Sequence, residues 1–144
     1  MKIYLDNCCF NRPFDDQSQL RIKLETEAKL RIQEEIRAGK LELAWSYILD
    51  YENSKNPYKD RKERMKGWKK YAVTDIQENA EILKKADFLN NAGLKKMDSL
   101  HVACAIISRC NYILTTDDNI LKQSEVLEGI KVDDPISFIK EVLS

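Results

Sequence analysis

Two rhythms of apolar residues alternate along the chain, short continuous runs and four-residue steps, and their order predicts the elements. Lys2 to Leu5 reads as a short buried strand, followed by a polar turn region through Asn11, Pro13, Asp15 and Asp16. Ser18 can cap a helix in which Leu20, Leu24, Ala28, Ile32 and Ile36 recur at four-residue steps beside Leu30, and Gly39 is placed to end it. Leu41 to Trp45 is a second strand, and Ser46 caps a short helix carrying Ile48, Leu49 and Glu52 before Asn53 to Pro57 breaks the chain. Ala72 to Ile76 is a third strand candidate. A helix from about Gln77 to Asn91 follows, with Ala80, Leu83, Ala86 and Phe88 as its expected apolar face and Gly93 closing it. Asp98 opens the next helix, whose Leu100, Ala103, Ile106 and Ile107 make an apolar face. Tyr112 to Thr115 is a strand, Asp117 to Gln123 a helical turn, and Ile130 to Val132 a last short strand. Asp134 and Pro135 form a cap and first-turn pair for a C-terminal helix with Ile136, Ile139 and Leu143.

Strands alternating with helices over the whole chain predict an α/β fold, a parallel sheet with helices on both faces. No repeat, low-complexity stretch or linker divides the 144 residues, so residues 1–144 are expected to form a single domain. A composition of 43% hydrophobic and 33% charged residues is that of an ordinary globular protein. The N-terminal apolar run is too short for a signal peptide and no apolar stretch reaches membrane-spanning length, so a cytoplasmic protein with no membrane partner is expected. Cys8, Cys9, Cys104 and Cys110 include no C-x-x-C pair, and the only histidine is His101, so free reduced thiols are expected rather than a zinc site. Net charge is zero, but its distribution is uneven: Lys55 to Lys70 holds eight Lys or Arg against Asp60 and Glu63. Such a surplus suits a polyanion, with Lys62, Arg64 and Lys66 as candidate RNA contacts and Tyr58, Trp68 and Tyr71 as stacking surfaces. The equal alternative is a solvated helix with Trp68 in the core.

In open parallel sheets the ligand crevice lies outside the carboxyl ends of the strands, where strand order reverses. Two strand readings end in an acid: KIYL runs into Asp6 and YILTT into Asp117. Asp98, after the Gly93 loop, and Glu52, on the helix after the second strand, can reach the same edge. Taken singly these are ordinary turn formers, caps and a solvated helix residue. As a set, four carboxylates repel one another unless a cation compensates, and oxygen-only ligands favour Mg or Mn over Zn.

The run YLDNCCF resembles the first motif of the PIN-domain family, an apolar strand ending in Asp; SYILDYE resembles the second, MDSLHVACA the third and ILTTDDNIL the fourth. The motifs occur in family order from Ile3 to Leu121. The resemblance implies a three-layer α/β/α PIN-like fold with a central parallel sheet. It also implies an endoribonuclease in which Asp6, Glu52, Asp98 and Asp117 bind Mg or Mn to hydrolyse RNA phosphodiesters, as in VapC-type toxins. It admits a toxin–antitoxin pair with a small antitoxin protein as partner, and a homodimer. The fourth motif has two registers, Asp117 and Asp118; Asp117 is preferred because it lies closer to the apolar run. Asp50 is a further acid near Glu52, turned elsewhere by helical spacing. Asn7, Thr115, Thr116 and Asp118 are candidates for supporting the acids or the ion's water. His101, three residues after Asp98, is either a support of this kind or a packed helix residue, the latter favoured. The competing function is a non-catalytic PIN-fold module binding RNA or a protein. A phosphatase-like hydrolase needs a second nearby Asp that Asp6-Asn7-Cys8 lacks.

Overall fold

The computed structural model describes residues 1–143. Strands β1 (Lys2–Leu5), β2 (Glu42–Ser46), β3 (Ala72–Ile76), β4 (Tyr112–Leu114) and β5 (Lys131–Asp133) form an all-parallel sheet in the order β3-β2-β1-β4-β5. The connecting helices are α1 (Asn7–Asn11), α2 (Leu20–Arg37), α3 (Tyr47–Ser54), α4 (Lys59–Lys69), α5 (Ala80–Asn91), α6 (Lys96–Ile107), α7 (Asp118–Lys122) and α8 (Pro135–Phe138). Right-handed crossovers put the β1-to-β2 connection through α2 and the β3-to-β4 connection through α5 and α6 on opposite faces, because the two move in opposite directions along the sheet. The result is the α/β sheet flanked by helices that the alternation predicted, with α2 packed on α8 and α5 on α6.

Burial explains the strength of each strand signal. β1 and β4 are apolar and buried nearly throughout, whereas the edge strand β3 alternates between half-buried and exposed residues. Ile3 pairs with both Leu43 and Tyr112, and Leu5 with Leu114, so the carboxyl ends of β1, β2 and β4 lie level. Chain order reverses at β1, which places the crevice beside Asp6.

Several expectations are corrected. The stretch after β1 is the short helix α1 and a 3-10 turn at Arg12–Phe14 rather than a plain polar turn, because Asp6 caps α1 and Cys9 and Phe10 are drawn into the core. Ser18 does not cap α2; the cap position is Gln19, without a side-chain bond. In α2, Ala28, Ile32 and Ile36 are buried, but Leu20 is 70% exposed and Leu24 and Leu30 lie largely in solvent. Four-residue steps overshoot a helical turn by about 40° each, so a row of five drifts off the buried face. The inward places go instead to Glu25, Lys29 and Gln33, with Glu25 paired to Arg12 at 3.0 Å. In α5 the buried set is Ile82, Ala86 and Leu89, whose spacing follows one helical face, while Leu83 and Phe88 are exposed. Gly39 and Gly93 do end α2 and α5, both at positive φ (75° and 121°), where a side chain would be strained. All four cysteines are free, and among the described residues no helix is long and apolar enough to cross a membrane.

Candidate metal centre

Asp6 leaves the end of β1 with its backbone N–H bonded to Leu114 O at 3.0 Å and its side chain capping α1. Its carboxylate is nearly buried and well supplied with donors. Asn7 N–H reaches Oδ1 at 2.7 Å, Thr115 Oγ1–H reaches Oδ2 at 2.9 Å, and the Cys8 thiol lies 3.5 Å from Oδ2. Thr115 also accepts the Asp117 N–H at 3.0 Å, and Thr116 N–H points at Cys8 Sγ at 3.4 Å, so the first and fourth motifs are stitched across β1 and β4.

Glu52 is carried in by α3, whose start is fixed by Ser46 Oγ accepting the Leu49 N–H. Asn7 Nδ2–H donates to Glu52 Oε2 at 3.4 Å, and His101 Nε2 contacts Glu52 Oε1. One ligand atom from each of Asp6, Glu52 and His101 lies within 4.8 Å of the other two, a group compact enough to hold an ion. His101 is 1% exposed, so the packed-residue expectation holds for its burial, with its ring edge-on to Tyr4 and its Nε2 turned to the acids.

A buried chain of hydrogen bonds decides which way that imidazole faces. Tyr4 Oη lies 2.7 Å from Ser46 Oγ and 2.6 Å from His101 Nδ1. Burial above all pushes the Tyr4 phenol well above its ordinary pKa, so it keeps its hydrogen. The Glu52 carboxylate against Nε2 calls for a proton there, so a neutral His101 accepts from Tyr4 at Nδ1, while an imidazolium donates from Nδ1 to Tyr4 Oη, whose own hydrogen then goes to Ser46. In either state Nε2–H donates to Glu52. Burial disfavours the imidazolium, but Asp6 and Glu52, with Asp98 behind them, outweigh it and hold the His101 pKa above its ordinary value.

Asp98 and Asp117 border this compact group. Asp98 stands in the first turn of α6 and is not its cap, which is Lys95. Its Oδ2 is buried without a hydrogen-bond partner among the described residues. Burial, then the charges of Asp117 and Asp6, push its carboxyl up to about 6. Asp117 caps α7 through the Asn119 N–H at 2.8 Å, an ordinary structural duty alongside any other. The neighbouring Asp118 turns outward to Arg21 at 2.9 Å, and Arg21 also donates to Thr116 O, so the two registers of the fourth motif are separated by that ion pair. Asp50 points away as expected, accepting from Trp45 Nε1 at 2.9 Å and pairing with Lys69.

The helix α4 divides the basic candidates. Met65 and Trp68 are its buried face, and residues two apart on a helix face different ways, so Arg64 leaves the side of Lys62 and Lys66. Trp68 lies in the core, with Tyr71 against its ring and Arg37 4.8 Å from its centroid, while Tyr58 remains exposed beneath Arg61. Sequence reasoning passes over Tyr4 as strand core, Cys8 as a buried thiol, and Arg21, and it takes Ser46 as a cap and motif residue without its bond to Tyr4. The available signal was Tyr4 two residues before Asp6, a phenol in an otherwise aliphatic strand that needs a partner when buried.

Neither a protein-family model nor a curated protein matches the chain. Among solved structures the chain is similar to VapBC2 from Rickettsia felis bound to a DNA fragment from their promoter, with a TM-score of 0.57, 13% identity, and 93% of this chain and 98% of that chain covered. At that identity the likeness shows the fold, the α/β parallel-sheet architecture that the four motifs implied.

Proposed function

We propose that this chain is a divalent-metal-dependent endoribonuclease of the PIN kind, acting on RNA phosphodiesters in the cytoplasm. Asp6, Glu52, Asp98 and Asp117 would hold Mg or Mn. The observation that carries the reading is Asp98 Oδ2, a buried carboxylate oxygen without a partner, facing the field of Asp6 and Asp117 at the sheet's reversal point. A hard cation is the group that such a donor set lacks. His101 supplies the imidazole of the neighbourhood, and with its Nε2–H committed to Glu52 the remaining candidate ligand atoms are all oxygen.

When bound, the metal would polarise a phosphoryl oxygen and lower the pKa of a water. The chain's own residues do the rest. Thr115, Asn7 and Cys8 orient Asp6 through the three donors at its oxygens. Asn7 and His101 fix the two oxygens of Glu52 from opposite neighbours. Asp98 presents its unpartnered Oδ2 beside Asp6 and Asp117, where a bound cation would offset the burial and carboxylate repulsion that raise its pKa. The likeness to a VapBC2 assembly supports a toxin paired with a small antitoxin protein, which a neighbouring reading frame would reveal. Exposed Leu83 and Phe88 on α5 are suited to a second copy or to that partner.

The deciding experiment is cleavage of single-stranded RNA with Mn, with Mg and with EDTA, by the parent and by Asp6→Asn. Metal-dependent cleavage lost in the variant is expected. Binding of RNA without cleavage under any of these conditions would instead favour the non-catalytic module.

A further inference from the structure

A second charged site, of opposite sign, lies behind α1. A cavity of about 360 Å3 opens between α1, α2 and α4, and four cationic side chains, Lys29, Arg37, Arg64 and Lys70, line it together with Gln33 and Trp68. None of its lining residues is acidic. Lys29 is only 4% exposed, yet among the described residues no carboxylate pairs with it, or with Arg37, Arg64 or Lys70. Its ammonium has only the rings of Phe10 and Trp68, 5.7 and 5.9 Å away. Burial, reinforced by Arg37, pushes Lys29 down to about 8.

An unpaired buried charge is expensive, and proteins retain one where something else completes it. The second observation is Gln33. It is 4% exposed, lines the same cavity, and its Nε2 has no hydrogen-bond partner. A buried ammonium and a buried amide donor, both lacking acceptors and ringed by two guanidinium groups, share one chemical need. That need is an oxyanion with several acceptor oxygens.

We propose that this cavity is a phosphate-binding site, taking the phosphate of a nucleotide, either free or as one link of an RNA strand. Phe10 joins it to the acidic edge, since Phe10 lines the cavity and belongs to α1, the helix that Asp6 caps. A strand with one phosphate held by Lys29 and Arg37 passes along α1 toward Asp6. The proposal rests on the nuclease reading only in naming RNA as one source of the phosphate. It also moves the RNA contact away from Lys62 and Lys66 and keeps only Arg64 of that trio.

The test uses the whole chain in EDTA, so that binding is read without cleavage. Inorganic phosphate, adenosine 5′-monophosphate and a short single-stranded RNA are titrated at matched ionic strength, by calorimetry and by tryptophan fluorescence, in which Trp68 lines the cavity and the buried Trp45 is a constant background. Saturable phosphate binding by the parent is expected, weakened about tenfold in Lys29→Met and in Arg37→Gln, the loss of one charge-assisted hydrogen bond. Tighter binding of RNA with the same losses assigns the phosphate to the RNA strand; equal binding of phosphate and nucleotide with no gain from RNA assigns a free ligand. Lys29→Met keeps the aliphatic stem, and the exposed Arg37→Gln provides the same readout should the first variant not fold. A parent that binds none of the three probes, or binding that both variants leave unchanged, overturns the proposal. Failure of RNA cleavage would sink the nuclease reading and leave these titrations standing.

Discussion

The two charged sites handle like charges in opposite ways. At the acidic edge the carboxylates are interleaved with neutral donors and one imidazole, so that Asp6 and Glu52 are each held by named hydrogen bonds, while Asp98 Oδ2 is buried with no partner among the described residues. In the cavity behind α1 the cations are laid over aromatic rings instead, with Lys29 near Phe10 and Trp68 and Arg37 on Trp68, and no carboxylate enters. Hydrogen bonds fix where an oxygen points, whereas cation–π contacts tolerate a range of positions. The first arrangement suits a site where geometry decides chemistry, the second one that only has to hold an anion.

The comparison breaks most visibly if the acidic edge has no chemistry. Asp6→Asn is expected to lower metal-dependent RNA cleavage on the order of a hundredfold or more, while circular dichroism shows the fold retained. Cleavage at the parental rate would remove the edge from the argument.

The next effect concerns the cavity. Lys29 has a folded-state pKa near 8 against 10.5 in the unfolded chain, so the unfolded chain binds more protons between those values and stability rises with pH across that window. Below about pH 8 the penalty is fully present. Lys29→Met removes it, so the variant is expected to exceed the parent by roughly 3 kcal/mol at pH 7, with the gap closing toward pH 10.5. Urea titrations of both proteins at several pH values measure this gap, and a constant gap would mean that Lys29 is solvated.

His101→Leu sharpens the acidic side. Removing the donor to Glu52 is expected to weaken Mn affinity about tenfold, and Tyr4→Phe, which frees the imidazole to change tautomer, by less. As His101 is the sole histidine, 15N-histidine labelling reads the protonated nitrogen directly in the parent and in Tyr4→Phe. A bare Nε2 in the parent would contradict the hydrogen-bond chain from Ser46.

The smallest effect is on metal-free stability. Asp98 has its pKa raised to about 6 from 3.8, so the folded state binds the extra proton between those values and loses stability as pH rises through them. Above pH 6 the cost is constant. Asp98→Asn is expected to be about 1 kcal/mol more stable than the parent at pH 7 in EDTA, a figure reduced for the partial solvent screening of this half-buried group. Equal stability at pH 7 and at pH 3.5 would show that the carboxylate is not strained. Added Mn should restore the parent alone.

The α/β class, the strand positions and the caps at Ser46 and Asp134 were legible because each rests on local pattern: apolar runs, turn residues and side chains reaching a neighbouring N–H. Asp6 and Asp117 could be placed at strand ends for the same reason. Which face a helix buries was legible only in part. The rows in α2 and α5 offered more than one apolar stripe, and neighbours such as Arg12, which draws Glu25 inward, chose among them.

What the sequence determined by itself was the order of the strands and of the longer helices, and that Asp6 and Asp117 follow strand ends, since periodicity and turn chemistry act over a few residues. Only the tertiary structure decided that Tyr4, Ser46, Glu52 and His101 form one buried chain, although they come from three separate stretches of sequence. It alone turned Asp118 to Arg21 and left Asp98 Oδ2 without a partner. It alone set Lys29 and Gln33 side by side over a cavity that holds no acid. Hydrogen-bond completeness and charge pairing are properties of the space around an atom, and that space is filled by residues distant in the chain.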